Sequence, residues 1–200
     1  MELQQRLVRF LVNTSVRGRL LIRLKRFGQA GVWNLVVPRS TLLGTSALAV
    51  FFSKYVSDAN IPHSDTGYRT VPSSIPATED DYSAAYSHLP TCPAFSQIGQ
   101  HRGPFDLGLI PIGAYEPRWM FSNVHASPKD AVNIFVDTKC NRALGMHWGT
   151  WVLTEEEVMA PPKELQDACN WKGIKGGREG FGVCDIGEST EFESVEDSRK

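Results

Sequence analysis

Between Gly103 and Thr150 the apolar positions change period several times, and each change predicts an element. Leu107 to Ile112 is a short continuous apolar run bounded by Asp106 and Gly113, which predicts a buried strand. It ends at Gly113-Ala-Tyr115-Glu-Pro117-Arg118-Trp119, where a glycine turn hands over to aromatic and charged side chains. Ser127-Pro128-Lys129-Asp130 carries the marks of a helix start: serine as N-cap, proline in the first turn, an acid near the dipole's positive end. Ala131, Val132, Ile134 and Phe135 give that helix one apolar face. Arg142 to Met146 predicts a second strand, which delivers His147 just before Trp148-Gly149-Thr150. Strand, loop, helix and strand with polar residues at the strand ends is the way an α/β scaffold presents a site.

The flanks are less regular. Leu3, Leu7, Val8, Phe10, Leu11, Leu20, Leu21, Ile22 and Leu24 interleave with arginines and Lys25. As a helix this pattern is basic and amphipathic, suited to an anionic membrane surface or to organelle targeting; a surface helix of the core is the plainer alternative. Thr41 to Phe52 is apolar but too short to span a bilayer, and predicts a buried strand or core helix. Residues 71–93 are rich in Ser, Pro and acids and predict a mostly exposed connection, with Tyr82, Tyr86 and Leu89 marking a short helix packed through one edge. Thr154-Glu-Glu-Glu157 has the capping-box pattern of a short helix. Pro162 to Trp171 predicts a helix stopped near Gly173, and the glycines from Gly173 to Gly182 predict a flexible loop in preference to a phosphate cradle.

Charge refines the picture. A formal net charge of -1 argues against a general polyanion binder, so no nucleic-acid partner is expected. The average hides an asymmetry: residues 1–40 carry eight Arg/Lys against Glu2, and residues 185–200 carry six acids against Arg199 and Lys200. Cys92, Cys140, Cys169 and Cys184 show no CxxC and no close pairing, which suits free thiols in a reducing compartment. The expected place is therefore intracellular, cytoplasmic or peripheral on membranes.

Two stretches carry candidate chemistry. Asn60-Ile-Pro-His63-Ser-Asp65-Thr-Gly-Tyr68 sets an aspartate among turn residues, where an Asp most often serves its own backbone. GPFDLGLIPIGAYEPRWM, then His125 with Pro128 and Asp130-Ala131, then His147-Trp-Gly-Thr150, closely resembles the N-acylphosphatidylethanolamine-hydrolysing phospholipase D family. Ser64-Asp65-Thr66-Gly67-Tyr68 is similar to that family's Gly-Asp-Thr-Gly-Tyr motif with the first glycine changed, and Asp185-Ile-Gly-Glu188 resembles its final Gly-Glu motif.

The resemblance covers roughly Asp65 to Glu188, the C-terminal half of such an enzyme, and implies an α/β chain forming part of a metallo-β-lactamase αββα sandwich. Residues 61–188 would be that partial domain, residues 1–60 a basic segment of uncertain placement, and residues 189–200 a disordered acidic tail. The family's enzymes use two zinc ions to hydrolyse a membrane phospholipid to N-acylethanolamine and phosphatidic acid. By resemblance Asp65 would bridge the metals, His147 would bind one, and His125 would be a catalytic group beside them that contacts phosphate or transfers a proton. His63 has no metal counterpart in the family pattern and is taken as incidental. Tyr115, Arg118 and Trp119 are motif residues of unknown role, with packing the plainer role for the aromatics.

The family supplies its remaining ligands from an HxHxDH motif and a further histidine ahead of the Asp65 position. Here the histidines are His63, His88, His101, His125 and His147, none within four residues of another, and residues 1–60 contain only Glu2 and Asp58 as acids. The chain as written is therefore expected not to build the two-metal site alone. Three accounts follow: a truncated family member, a non-catalytic lipid- or protein-binding descendant, or a small domain with structural His and Asp, which the resemblance disfavours. Half of a sandwich would expose one sheet's apolar face, so the chain is expected to fold poorly or to associate as a homo-oligomer.

Overall fold

The computed structural model describes residues 66–149, 152–185 and 188, together with the backbone of strands β1 (Leu11–Thr14), β2 (Leu20–Lys25), β3 (Ala47–Ala49) and β7 (Ser189–Thr190). Its centre is a parallel sheet in the order β3-β4-β5-β6, where β4 is Leu107–Pro111, β5 Ala143–Met146 and β6 Phe181–Gly182. The two internal apolar runs thus form the neighbouring strands expected of them, Leu109 opposite Leu144 and Pro111 opposite Met146. Parallel neighbours need long crossovers. Here they pass through α2 (Arg118–Phe121) and α3 (Pro128–Asp137) between β4 and β5, and through α4 (Ala160–Lys172) between β5 and β6.

Ile110, Ile112 and Ala143 face one way and pack with Phe95 of α1 (Ala94–His101), Val132 and Ile134 of α3, and Leu165 of α4. Each large side chain buried in this way contributes about 1.5–3 kcal/mol over its exposed state. Side chains alternate along a strand, so Leu107, Leu109 and Leu144 point to the opposite face. They too are buried, at 0–1% exposure. The exposed apolar sheet face expected of half a sandwich is therefore not observed: every residue of β4 and β5 is buried, as is usual for interior parallel strands.

Local chemistry explains the helix ends. Ser127 caps α3 in a capping box: its hydroxyl accepts from the Asp130 amide at 3.2 Å, and Asp130 accepts from the Ser127 amide at 3.0 Å. α4 stops at Gly173, whose φ of 70° is a left-handed cap that a side chain would resist. The chain from Gly176 to Phe181 then turns into β6, so the glycine loop serves the sheet edge. Residues 71–93 are mostly exposed as expected, with a single 3₁₀ turn at Ala84–Tyr86 and a small cluster of Val71, Ile75 and Leu89.

Two expectations are corrected. The N-terminal run is not an amphipathic helix where it is described: β1 and β2 form an antiparallel pair, and β2 also pairs with β7. Ile22, Arg23, Leu24 and Lys25 alternate with the period of a strand, and pairing on both edges satisfies the backbone. Thr154–Glu157 opens no helix either; α4 begins at Ala160, because Glu156 is engaged elsewhere. β7 falls at the start of the expected tail. Among the described residues, no helix is long and apolar enough to cross a membrane.

Candidate active site

The site gathers at the C-terminal ends of β4 and β5. The Ile112 amide donates to the Met146 carbonyl at 2.9 Å, and the chains then diverge as Gly113-Ala114 and His147-Trp148. Gly113 is required there: a Cβ would stand 2.1 Å from the His147 carbonyl oxygen. Ala114 and His147 both adopt left-handed backbone, with φ of 63° and 61°. A non-glycine residue at positive φ is uncommon and concentrates where a structure over-determines the conformation.

What holds Ala114 is Glu156. Its Oε1 accepts from the Ala114 amide at 2.6 Å and its Oε2 from the Glu116 amide at 3.1 Å. The Glu155 amide donates in turn to the Glu116 carbonyl. This bidentate brace fixes the turn after β4 and escaped sequence reasoning. The only signal, three consecutive glutamates after Thr154, also matched a helix cap.

His125 comes from the turn before α3. Its amide donates to the Phe121 carbonyl at 2.7 Å and its ring stacks on Phe121 at 5.6 Å between centroids. Nδ1 lies 2.5 Å from the Ala114 carbonyl oxygen. A carbonyl can only accept, so Nδ1 carries a proton there. The ring faces His147, 5.3 Å between centroids and inclined by 46°. Beside His147 lies a cleft of about 100 Å³ lined by Gly113, Ala114, His147, Trp148, Leu153 and Glu156, among others.

Of the motif residues, Tyr115 is a core side chain at 2% exposure, whereas Trp119 is 47% exposed and so does not follow the packing expectation. Burial first, and then the carboxylates of Glu164, Glu156 and Glu116, push the Tyr115 phenol well above its ordinary value. Arg118 is largely covered, its side chain 11% exposed, and paired: its Nη2 donates to Asp81 at 3.0 Å and makes an ion pair with Asp130 at 2.9 Å. Burial alone would lower it; the charges of Asp130 and Asp81 outweigh that and raise it. The Tyr82 hydroxyl also donates to Asp130, and Arg69 stacks over Tyr82 at 4.3 Å. None of this buried polar group was evident from spacing.

Two of the three predicted site residues, His125 and His147, are thus brought together, and Asp65 lies outside the described residues. His63 does as well. Catalytic zinc takes three protein ligands and keeps a position open. Among the described residues, no three His, Cys, Asp or Glu side chains are placed to hold a metal ion. The described residues therefore do not fit a two-zinc centre.

A family model, "Beta-lactamase superfamily domain", matches residues 65–148, the stretch that carries β4, α3, β5 and both histidines. The segment that carries the site matches that superfamily, and the chain around it is an α/β fold with a parallel sheet. Within it, the chain is similar to N-acyl-phosphatidylethanolamine-hydrolyzing phospholipase D 1 of Caenorhabditis elegans, 44% identical over 78 residues, covering 37% of this chain and 22% of that protein. The mitochondrial N-acyl-phosphatidylethanolamine-hydrolyzing phospholipase D of Saccharomyces cerevisiae is 36% identical over 69 residues, covering 34% of this chain and 15% of its own. An uncharacterized protein of Mycobacterium tuberculosis is 37% identical over 75 residues, covering 36% and 20%. The matched segment thus spans less than a quarter of each relative's length.

Proposed function

We propose that this chain carries the histidine-bearing, C-terminal portion of a phosphodiesterase site of the phospholipase D type. Its substrate class is an N-acylated ethanolamine phospholipid, cleaved between phosphorus and the N-acylethanolamine oxygen to leave phosphatidic acid. The observation that carries this is the convergence of His125 and His147, 5.3 Å apart between ring centroids, within the segment that matches the superfamily. The similarity to relatives named for this hydrolysis supports the substrate class. The excess of Arg and Lys in residues 1–40 supports a place at an anionic membrane surface.

Zinc, when bound in a complete site of this superfamily, supplies an activated water and neutralises charge on phosphorus. Of the expected ligands the described residues hold His147, with His125 beside it, and no three His, Cys, Asp or Glu are placed to hold a metal ion, so turnover requires ligands from elsewhere. That shortfall also favours a second reading, a non-catalytic lipid-binding descendant.

Zinc content per purified chain, measured beside phosphatidic acid release from vesicles containing the N-acylated lipid, separates the two. We expect fewer than two tightly held zinc ions and no release above that of an Asp65→Ala, His147→Ala chain. About two zinc ions lost in that variant, together with turnover, would show that the site is complete after all. Vesicle co-sedimentation without turnover would leave the binding reading.

A further inference from the structure

We infer that Arg118 is a positioning residue: its buried pair with Asp130 closes both ends of the loop that carries His125 and so sets that ring against His147. Arg118 opens α2 and Asp130 closes the capping box of α3, with His125 on the chain between them. The two side chains meet at 2.9 Å, with Asp130 fully buried. Residues on either side of the pair hold the same loop. Phe121 and His125 stack one turn after Arg118, and the Ser122 hydroxyl accepts from the Val71 amide at 2.9 Å.

The form of the pair points to register more than to stability. Arg118 meets both Asp81 and Asp130 through a single nitrogen, Nη2. Its Nε and Nη1 are buried without a hydrogen-bond partner among the described residues. A guanidinium used for stability alone would offer its fork to one carboxylate as two parallel bonds. Leaving two buried donors without a protein partner is costly, and an ion pair so arranged is best explained by the geometry it enforces. The Tyr82 hydroxyl reaches Asp130 from the other side and Arg69 covers the Tyr82 ring, so neither member of the pair can swing to a new partner cheaply.

The inference rests on the reading of His125 and His147 as the working pair, but its test needs no turnover, so either can fail alone. In the full chain with labelled histidines, proton cross-peaks between the two imidazoles report their proximity; the His125→Gln and His147→Gln chains assign them. An Arg118→Gln, Asp130→Asn double variant removes both charges together, and asparagine keeps the cap on α3. We expect it to melt cooperatively and to lose the cross-peaks, while Arg118→Lys retains them. A folded double variant with cross-peaks of full intensity would overturn the proposal. Should the double variant not fold, Tyr82→Phe decides, since it removes one bond to Asp130 and leaves both charges. Weakened cross-peaks there uphold the positioning role, and unchanged ones reject it.

Discussion

His147 holds its ring 5.3 Å from that of His125 while its own backbone lies in the left-handed region, at φ 61°. For an L residue other than glycine that conformation costs about 1–2 kcal/mol. The strain is bound to the site, because the same residue turns the chain away from β5 and presents its carbonyl to Gly113. Replacing the ring therefore has two separable effects. His147→Gly removes the imidazole and relieves the backbone; His147→Ala removes the imidazole alone. We expect the glycine variant to be the more stable of the two by about 1 kcal/mol in urea denaturation. Equal midpoints would mean that position 147 is not left-handed in solution.

Gly113 gives a companion test of the same close approach. An added Cβ would lie 2.1 Å from the His147 carbonyl oxygen, a backbone atom that cannot rotate aside. Gly113→Ala should destabilise by about 1–3 kcal/mol or more and displace His147. Gly173 is the control. Its φ is 70°, but an added Cβ there meets nothing within 4 Å. Gly173→Ala should cost only backbone strain, about 1 kcal/mol, and leave the histidine cross-peaks unchanged. If both substitutions shift the unfolding midpoint equally, the strand ends are not packed as tightly as described.

These two positions also show where the sequence was legible. The strands β4 and β5 and the start of α3 followed from short apolar runs and from Ser127, Pro128 and Asp130, because each signal is local and strong. His125 and His147 followed from motif wording, and their proximity is what strand order and crossover length impose. The N-terminal strands did not follow, since Leu20 to Lys25 satisfies a helical and a strand period about equally and pairing decides. Glu156 was hidden for a related reason. Thr154 to Glu157 has the composition of a helix cap, and only the nearness of the Ala114 and Glu116 amides turns its carboxylate into a brace. The Arg118, Asp130, Asp81 and Tyr82 group joins residues far apart in sequence, so no spacing rule could find it.

Glu116 makes the stability of this corner depend on pH. Burial raises its carboxyl above the ordinary value, assisted by repulsion from Glu164 and Glu156 and opposed by the Arg118 amide and charge. A raised carboxyl favours the folded state when protonated. That contribution is fully present below the ordinary carboxylate range and is lost as pH rises through the raised value. Glu116→Gln keeps an acceptor for the Arg118 amide and removes the titration. We expect the variant to be more stable than the parent at neutral pH, with the gap closing as the pH falls through the raised value and gone below the ordinary carboxylate range. Parallel stability curves across that range would show that Glu116 keeps its ordinary affinity for protons.

The four thiols report on the core from which the site projects. None is in a disulfide; Cys140, Cys169 and Cys184 are buried and Cys92 is half-buried. Burial pushes Cys140 up to about 11, against a lowering by the Thr138 hydroxyl, and Cys169 up to about 11. At pH 8 only about one molecule in a thousand then carries either thiolate, and the thiolate is the reactive form. Iodoacetamide should label Cys92 first in the native chain, with Cys140 and Cys169 protected until the structure opens. In urea all four should label together, as peptide mass spectrometry would show. Cys140 follows α3, and Cys169 lies in α4 with its Sγ 3.7 Å from the Phe181 carbonyl of β6. If the two are protected to the same degree, α3, α4 and the sheet open as one cooperative unit. Rapid labelling of Cys169 alone would instead detach α4 from the sheet, and with it the Glu156 segment that braces the turn beneath His125.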